Sequence, residues 1–289
     1  MGSVSEESVD QEPFTVLLTG FESFKTDYPV NPSWEIVRSL PSHLPPLRAK
    51  VPSSSSSSLT SEAAPPPPPR SIPPVRLLVH PSPIHVSYET VRELVPRLWT
   101  NQQQQQRIDA AVHVGMAGPR LFYSVERRGH REGYKMRDVD GQLLADDGGR
   151  GCRRPGGTEK EGEGEGEGKG DGEGEGGEKE WIWEGLPPDL ESAFDVDDIV
   201  ARWRGHSPQH LDLRISEDAG HYLCDFIYYS SLAHLEKAGE RRRVLFLHVP
   251  SDASPHSISV GRELLLQLVR SLVESEVVRR EKAKAEAAS

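Results

Sequence analysis

Short apolar runs alternate along this chain with longer one-sided stretches. Phe14-Thr15-Val16-Leu17-Leu18-Thr19-Gly20 reads as a buried strand ending in a Gly turn. Beyond it, Asn31-Pro32-Ser33 leads into a helix in which Ile36, Val37 and Leu40 share a face, with Pro32 or Ser33 as its start signal. Val75 to His80 is a second strand. Val91, Leu94, Val95 and Leu98 then follow the i, i+3, i+4, i+7 spacing of a helix with one apolar side. Ile108 to Gly115 is a third strand. Another is expected near Arg214-Ile215, leading into a helix around Cys224. Residues 244–249 form the next strand, and Ile258, Leu265, Leu268 and Leu272 mark a last amphipathic helix. Strands alternating with helices predict βαβ units and a mostly parallel sheet.

Three stretches break this pattern. Residues 50–74 are rich in Ser and Pro, including Ser53 to Ser58 and Pro65 to Pro69, and cannot bury a core. Gln102 to Gln106 is a polar loop run. From Gly148 to Glu180 a Gly/Glu repeat combines charge repulsion with Gly entropy, and is expected to stay unfolded. Neither flank of this repeat has a complete core, so it reads as an insert within one domain. A hydrophobic content of 35% with abundant Pro and Gly fits a folded core diluted by such inserts.

Charge and cysteine usage narrow the class. The chain of 289 residues has a formal net charge of -11, and residues 159–180 alone carry ten acidic and three basic side chains. The remainder is only mildly acidic. No basic patch with interleaved aromatics is present, which argues against a nucleic-acid partner. Two cysteines, unequally placed, do not make a disulfide framework, and a reducing, cytoplasmic setting is the simpler expectation. Residues 1–12 are polar and acidic, unlike a signal peptide, and no apolar run is long enough for a membrane helix.

One stretch concentrates the candidate chemistry. Ser216-Glu217-Asp218-Ala219-Gly220-His221-Tyr222-Leu223-Cys224-Asp225-Phe226 places a cysteine in the first turns of a helix. Helix N-termini favour thiolate over thiol. A histidine follows at the end of an apolar run, Phe246-Leu247-His248-Val249-Pro250. A lone Cys is also a common small buried hydrophobe, a strand-end His a common structural residue, and Glu126 an ordinary solvated charge. Phe21, Phe24 and Trp34 would ordinarily be core. Cys152 lies in the Gly/Glu segment, where no pocket tunes its pKa, and reads as non-catalytic. No His, Cys, Asp and Glu cluster has metal-ligand spacing, and Gly115-Met116-Ala117-Gly118 lacks a nucleotide-binding pattern, so neither metal nor cofactor is expected. Residue patterns alone lead to an α/β domain with a possible Cys–His hydrolase site.

Five blocks in order extend this reading. Leu17 to Phe24 with Asn31-Pro32-Ser33, His113 to Gly118, Val125 to Lys135, Ser216 to Phe226, and Phe246 to Pro250 together resemble the pyroglutamyl peptidase family (pyrrolidone-carboxylate peptidases). These are cysteine exopeptidases that remove an N-terminal pyroglutamyl residue from peptides. The resemblance covers most of residues 14–273 outside the inserts. It implies a three-layer α/β/α, phosphorylase/hydrolase-like fold around a twisted, mostly parallel sheet, with residues 13–275 as one peptidase domain and 276–289 as a charged tail. It further implies Cys224 as nucleophile, His248 as general base and acid, and Glu126 as the group orienting the imidazole. Phe21 and Phe24 map to the aromatic walls of the lactam pocket. Met116 and Pro119 stand in a turn where bacterial members carry Gln and a double Gly, so Met116 is the third substrate-side candidate. The implied partners are N-terminally pyroglutamylated peptides, with no nucleic acid, membrane or cofactor. The family's members differ in oligomeric assembly. Two other classes stay open: a catalytically silent binding protein on this fold, and a scaffold acting through residues 65–69.

Overall fold

A computed structural model describes residues 12–24, 28–47, 72–100, 107–118, 120–144 and 183–288. The Ser- and Pro-rich run from 50 to 71, the Gln run, Pro119, Cys152, the Gly/Glu segment and the first eleven residues lie outside the described residues.

A six-stranded sheet forms the centre, its strands lying in the order Val75–Val79, Phe14–Gly20, Ala110–Met116, Val244–Val249, Tyr123–Glu126 and Leu213–Ser216. Strands β1 (Phe14–Gly20), β2 (Val75–Val79), β3 (Ala110–Met116) and β8 (Val244–Val249) run parallel. β4 (Tyr123–Glu126) pairs antiparallel with β8, and β7 (Leu213–Ser216) runs parallel to β4. The inner strands β1, β3 and β8 are buried along their whole length, as near-continuous apolar runs covered on both faces should be. A separate two-stranded ribbon joins β5 (Arg128–His130) to β6 (Asp189–Glu191).

Side-chain alternation along the strands divides the interior into two cores. Val16, Leu18, Val112, Val114, Leu245 and Leu247 face helices α1 (Pro32–Arg38), α3 (Val196–His206) and α5 (Pro255–Ala287). Leu17, Ala111, Val244 and Phe246 face α2 (Tyr88–Thr100) and α4 (Leu223–Lys237). The result is the expected three-layer α/β/α arrangement with a mostly parallel sheet. Helix α5 continues through residues 276–287, where its last turns are exposed.

Four elements appear where the sequence pattern assigned none: β4, β5, β6 and α3. Strand β4 escapes because it alternates two apolar residues with a serine and a glutamate that are themselves buried. β5 and β6 are three residues each. Helix α3 did carry a signal, since Val196, Ile199, Val200 and Trp203 follow helical spacing behind the N-cap Asp195. No helix among the described residues is long and apolar enough to cross a membrane.

Candidate active site

Strand β3 and helix α4 meet at Gly115. A Cβ built there would stand 2.8 Å from Cys224 Sγ and 2.7 Å from Phe246 Cζ. Only a residue without a side chain leaves room for the sulfur against the strand. Gly115 is also the in-register partner of His248 on β8. Neighbouring strands lie about 4.8 Å apart and register partners point to one face. Cys224 and His248 therefore occupy adjoining positions on the same side of the sheet.

Glu126 completes the line. Ser124 lies opposite His248 across β4 and β8, and Glu126 opposite Phe246. The Glu126 carboxylate is fully buried and meets His248 Nδ1 at 2.7 Å. An ionised carboxylate only accepts hydrogen bonds, so this bond assigns the imidazole proton to Nδ1 and leaves Nε2 as the basic nitrogen. The same carboxylate oxygen accepts from Arg120 Nη1 at 2.7 Å and from Ser124 Oγ at 3.1 Å. Burial works to raise the Glu126 carboxyl, but the hydrogen bond and charge of His248, with Arg120 behind them, hold it below its usual range. The hydroxyl of Tyr228, one turn further along α4 than Cys224, donates to the Glu126 carbonyl at 3.1 Å. One helix thus fixes both ends of the line. Phe246 packs its ring 4.8 Å from that of His248.

Cys224 sits in the first turn of α4, whose N-cap Tyr222 is extended and supplies no side-chain cap. No side chain of the cap residue therefore occupies the first-turn N–H groups. Other effects oppose the pull of the helix start on the sulfur. Burial, then the charges of Glu126 and Asp225, push the Cys224 thiol up to about 12, against the opposite pull of Arg120.

The aromatic candidates divide. Phe21 is buried on the α4 side of the sheet, bridged to Ile84. Phe24 packs on the same core, with its ring 6.2 Å from that of Tyr222. The Asn31-Pro32-Ser33 block pins this loop: Ser33 Oγ accepts from Phe21 N–H at 3.1 Å, and Asn31 Nδ2 donates to the Glu22 carbonyl at 2.9 Å. Met116 is different. It pairs with Val249 at the end of β3, so alternation turns its side chain to the face opposite Gly115 and the sulfur.

Sequence reasoning missed Arg120, Ser124, Tyr222 and Tyr228. Ser124 and Glu126 sit two apart on one strand, a weak signal that needs the strand to be known first. Arg120 carries no local signal. A further group forms nearby: among the described residues, His130, His221 and Asp225 bring ligand-type atoms within 4.8 Å of one another. His221 and Asp225 are only four positions apart, but His130 lies 95 positions before Asp225, so spacing along the chain did not reveal the group as a whole.

Comparison with known proteins gives a consistent result. A family model described as pyroglutamyl peptidase matches residues 171–288. Pyroglutamyl-peptidase 1 of Rattus norvegicus is 30% identical over 187 residues, covering 64% of this chain and 69% of the relative. A pyrrolidone-carboxylate peptidase of Thermococcus onnurineus is 26% identical over 235 residues, covering 81% and 82%. Among solved structures, a variant pyrrolidone carboxyl peptidase of Pyrococcus furiosus superposes with a TM-score of 0.56 at 20% identity, over 92% of this chain and 99% of that one. Pyroglutamyl peptidase I of Bacillus amyloliquefaciens gives a TM-score of 0.56 at 19% identity, over 90% and 97%. At these identities the structural likenesses speak to the fold.

Proposed function

The chain belongs to the pyroglutamyl peptidase family of cysteine-type hydrolases, and from that premise we propose that Cys224, His248 and Glu126 cleave the amide bond after an N-terminal pyroglutamyl residue of peptides. The observation that carries this reading is the 2.7 Å Glu126–His248 bond on the face where Gly115 receives the Cys224 sulfur.

The chemistry follows from the charges. A lone thiolate is disfavoured beside Glu126 and Asp225. Transfer of the thiol proton to His248 Nε2 places an imidazolium between Glu126 and the sulfur, and the opposition becomes an attraction. Sγ attacks the pyroglutamyl carbonyl in the same step. First-turn N–H groups of α4 face the developing oxyanion. The imidazolium then protonates the leaving peptide amine, the C–N bond breaks, and a thioester remains. Water, deprotonated by His248, hydrolyses it and restores the thiol. Phe21, Phe24 and Tyr222 offer flat apolar walls to a neutral lactam, whereas open-chain glutamate would bring charges that such walls cannot solvate. A reducing setting belongs to the proposal, because the mechanism uses a free thiol.

A silent binding protein would have no use for the Glu126–His248–Cys224 line. The test is release of a fluorogenic amine from a pyroglutamyl amide by the purified chain beside Cys224→Ala. Turnover that disappears in the variant is expected. A well-folded wild-type protein with no turnover across pH 6–9 under reducing conditions sinks the proposal.

A further inference from the structure

The carboxylate of Asp225 is fully buried one residue after the nucleophile, and three segments converge on it. From the β5 ribbon, the His130 N–H donates to Oδ1 at 3.0 Å, and His130 Nδ1 stands 3.3 Å from both carboxylate oxygens. From the turn before α4, His221 Nδ1 approaches Oδ2 at 3.9 Å. From the loop after β5, the Tyr134 hydroxyl donates to Oδ2 at 2.9 Å. The two imidazole rings lie 5.0 Å apart.

The imidazole spacings, 3.3 Å for His130 and 3.9 Å for His221, are long for charge-assisted hydrogen bonds, which run at about 2.7–2.9 Å. They suit a different contact. Zinc bonds of about 2.0–2.1 Å at a tetrahedral angle put neighbouring ligand atoms roughly 3.3 Å apart. His130 Nδ1 already stands at that distance from Asp225. His221, whose side chain is half exposed, has only a short swing to make. The room for it is built in. Gly133 takes φ +102°, and a Cβ there would stand 2.7 Å from His221 Nδ1. Tyr134, bonded to the ligating carboxylate, would hold it in orientation, as partners behind metal ligands do. The exposed side of His221 leaves a fourth position to water.

We propose that His130, His221 and Asp225 form a binding site for a divalent transition cation of zinc type, separate from the Cys224–His248–Glu126 line. Two imidazoles with one carboxylate are a borderline-soft set, suited to zinc rather than to magnesium or calcium. An ion there ties the turn ahead of α4 to the β5 ribbon. It thereby anchors Tyr222, which packs on Phe24, and the start of the helix that carries Cys224. The site rests on its own geometry and stands or falls apart from the peptidase reading.

The test removes both thiols, since cysteine itself binds zinc. The full chain carrying Cys152→Ser and Cys224→Ala is titrated with zinc against a chelating dye. One equivalent bound at micromolar Kd or tighter is expected, and His221→Gln in that background should weaken it about tenfold or more. His221 is half exposed, so its replacement leaves the fold in place, checked by circular dichroism. Cobalt(II) gives a second reading on the unaltered histidines: the intense visible bands of a tetrahedral centre are expected. Absence of saturable binding once the thiols are gone, binding indifferent to His221→Gln, or the weak spectrum of hydrated cobalt would each overturn the site.

Discussion

A Cβ at Gly115 would intrude on Cys224 Sγ at 2.8 Å and on the fully buried Phe246 ring at 2.7 Å, so the sulfur must shift to make room. Gly115→Ala is therefore expected to lower kcat by about 100-fold or more, because displacement of a reacting atom by about 1 Å is enough for that. Its stability cost should stay near the ~1–3 kcal/mol of ordinary overpacking. Steady-state kinetics beside urea unfolding separates the two effects; normal turnover would show that the sulfur does not react from this position. Arg120 acts through another residue, supporting the carboxylate of Glu126 by hydrogen bond and charge. Without it, as in Arg120→Met, the Glu126 carboxyl rises, and ionised Glu126 persists only to a higher pH than before. The acid limb of the pH–rate profile should move upward and kcat should fall while KM changes little. An unmoved limb would deny Arg120 a positioning role. The linkage has a matching sign. A carboxyl held below its usual range adds stability above that range, which is lost as pH falls through the lower folded value. Of these residues, Cys224, His248 and Glu126 were legible through their blocks. Arg120 was not, because nothing in its neighbours announces that it turns back onto the strand.

His113 joins three elements. Its ring bonds Thr19 Oγ1 on β1 at 2.8 Å and Ser231 Oγ on α4 at 2.9 Å, while its own strand is β3. Burial, assisted by the charge of His80, lowers it from 6.5 to about 3, so it is neutral when folded. The unfolded chain binds that proton near pH 6.5 and the folded one only near 3. Acidification across this window therefore favours unfolding. The contribution is present above pH 6.5 and declines by up to about 1.4 kcal/mol per pH unit below it. His113→Gln, which keeps a polar partner for both hydroxyls, should flatten the pH dependence of unfolding free energy between pH 6 and 4 by up to one proton. An unchanged slope would mean that the site is solvated. The parallel strands and every helix but α3 were legible because their apolar periodicity is strong; α3 carried the same spacing and was overlooked. β4 was hidden because its polar residues, Ser124 and Glu126, are inside, where sequence patterns place apolar ones.

At the scale of the whole molecule, the Ser- and Pro-rich insert enters and leaves at one place. His43 bridges Arg76 antiparallel, Leu44 N–H bonds the Val75 carbonyl at 3.0 Å, and Leu77 N–H bonds the Ser42 carbonyl at 2.8 Å. The two flanks already run side by side, at the edge strand β2, five strands away from β7 in the sheet order. Loop length contributes little to closure once the ends are held. Replacing residues 48–71 by a short Gly/Ser turn should leave kcat/KM within about twofold and Tm nearly unchanged. A large loss of turnover would assign the insert a part at the site. A loss only of binding to a Pro-recognising partner would support the scaffold reading.

Apolar periodicity alone determined the class of the molecule, because burial of a strand on two faces or of a helix on one leaves an unmistakable pattern of side chains. The ordered blocks around Glu126, Cys224 and His248 determined the family. The tertiary structure alone decided how those residues meet: in-register pairing set His248 beside Gly115, and the close packing of α4 put the sulfur there. It turned Met116 away from the sulfur through strand alternation, and it raised the Cys224 thiol through burial and the nearby charges of Glu126 and Asp225. It also gathered His130, His221 and Asp225. Such relations depend on which segments lie side by side, and distance along a chain carries no record of that.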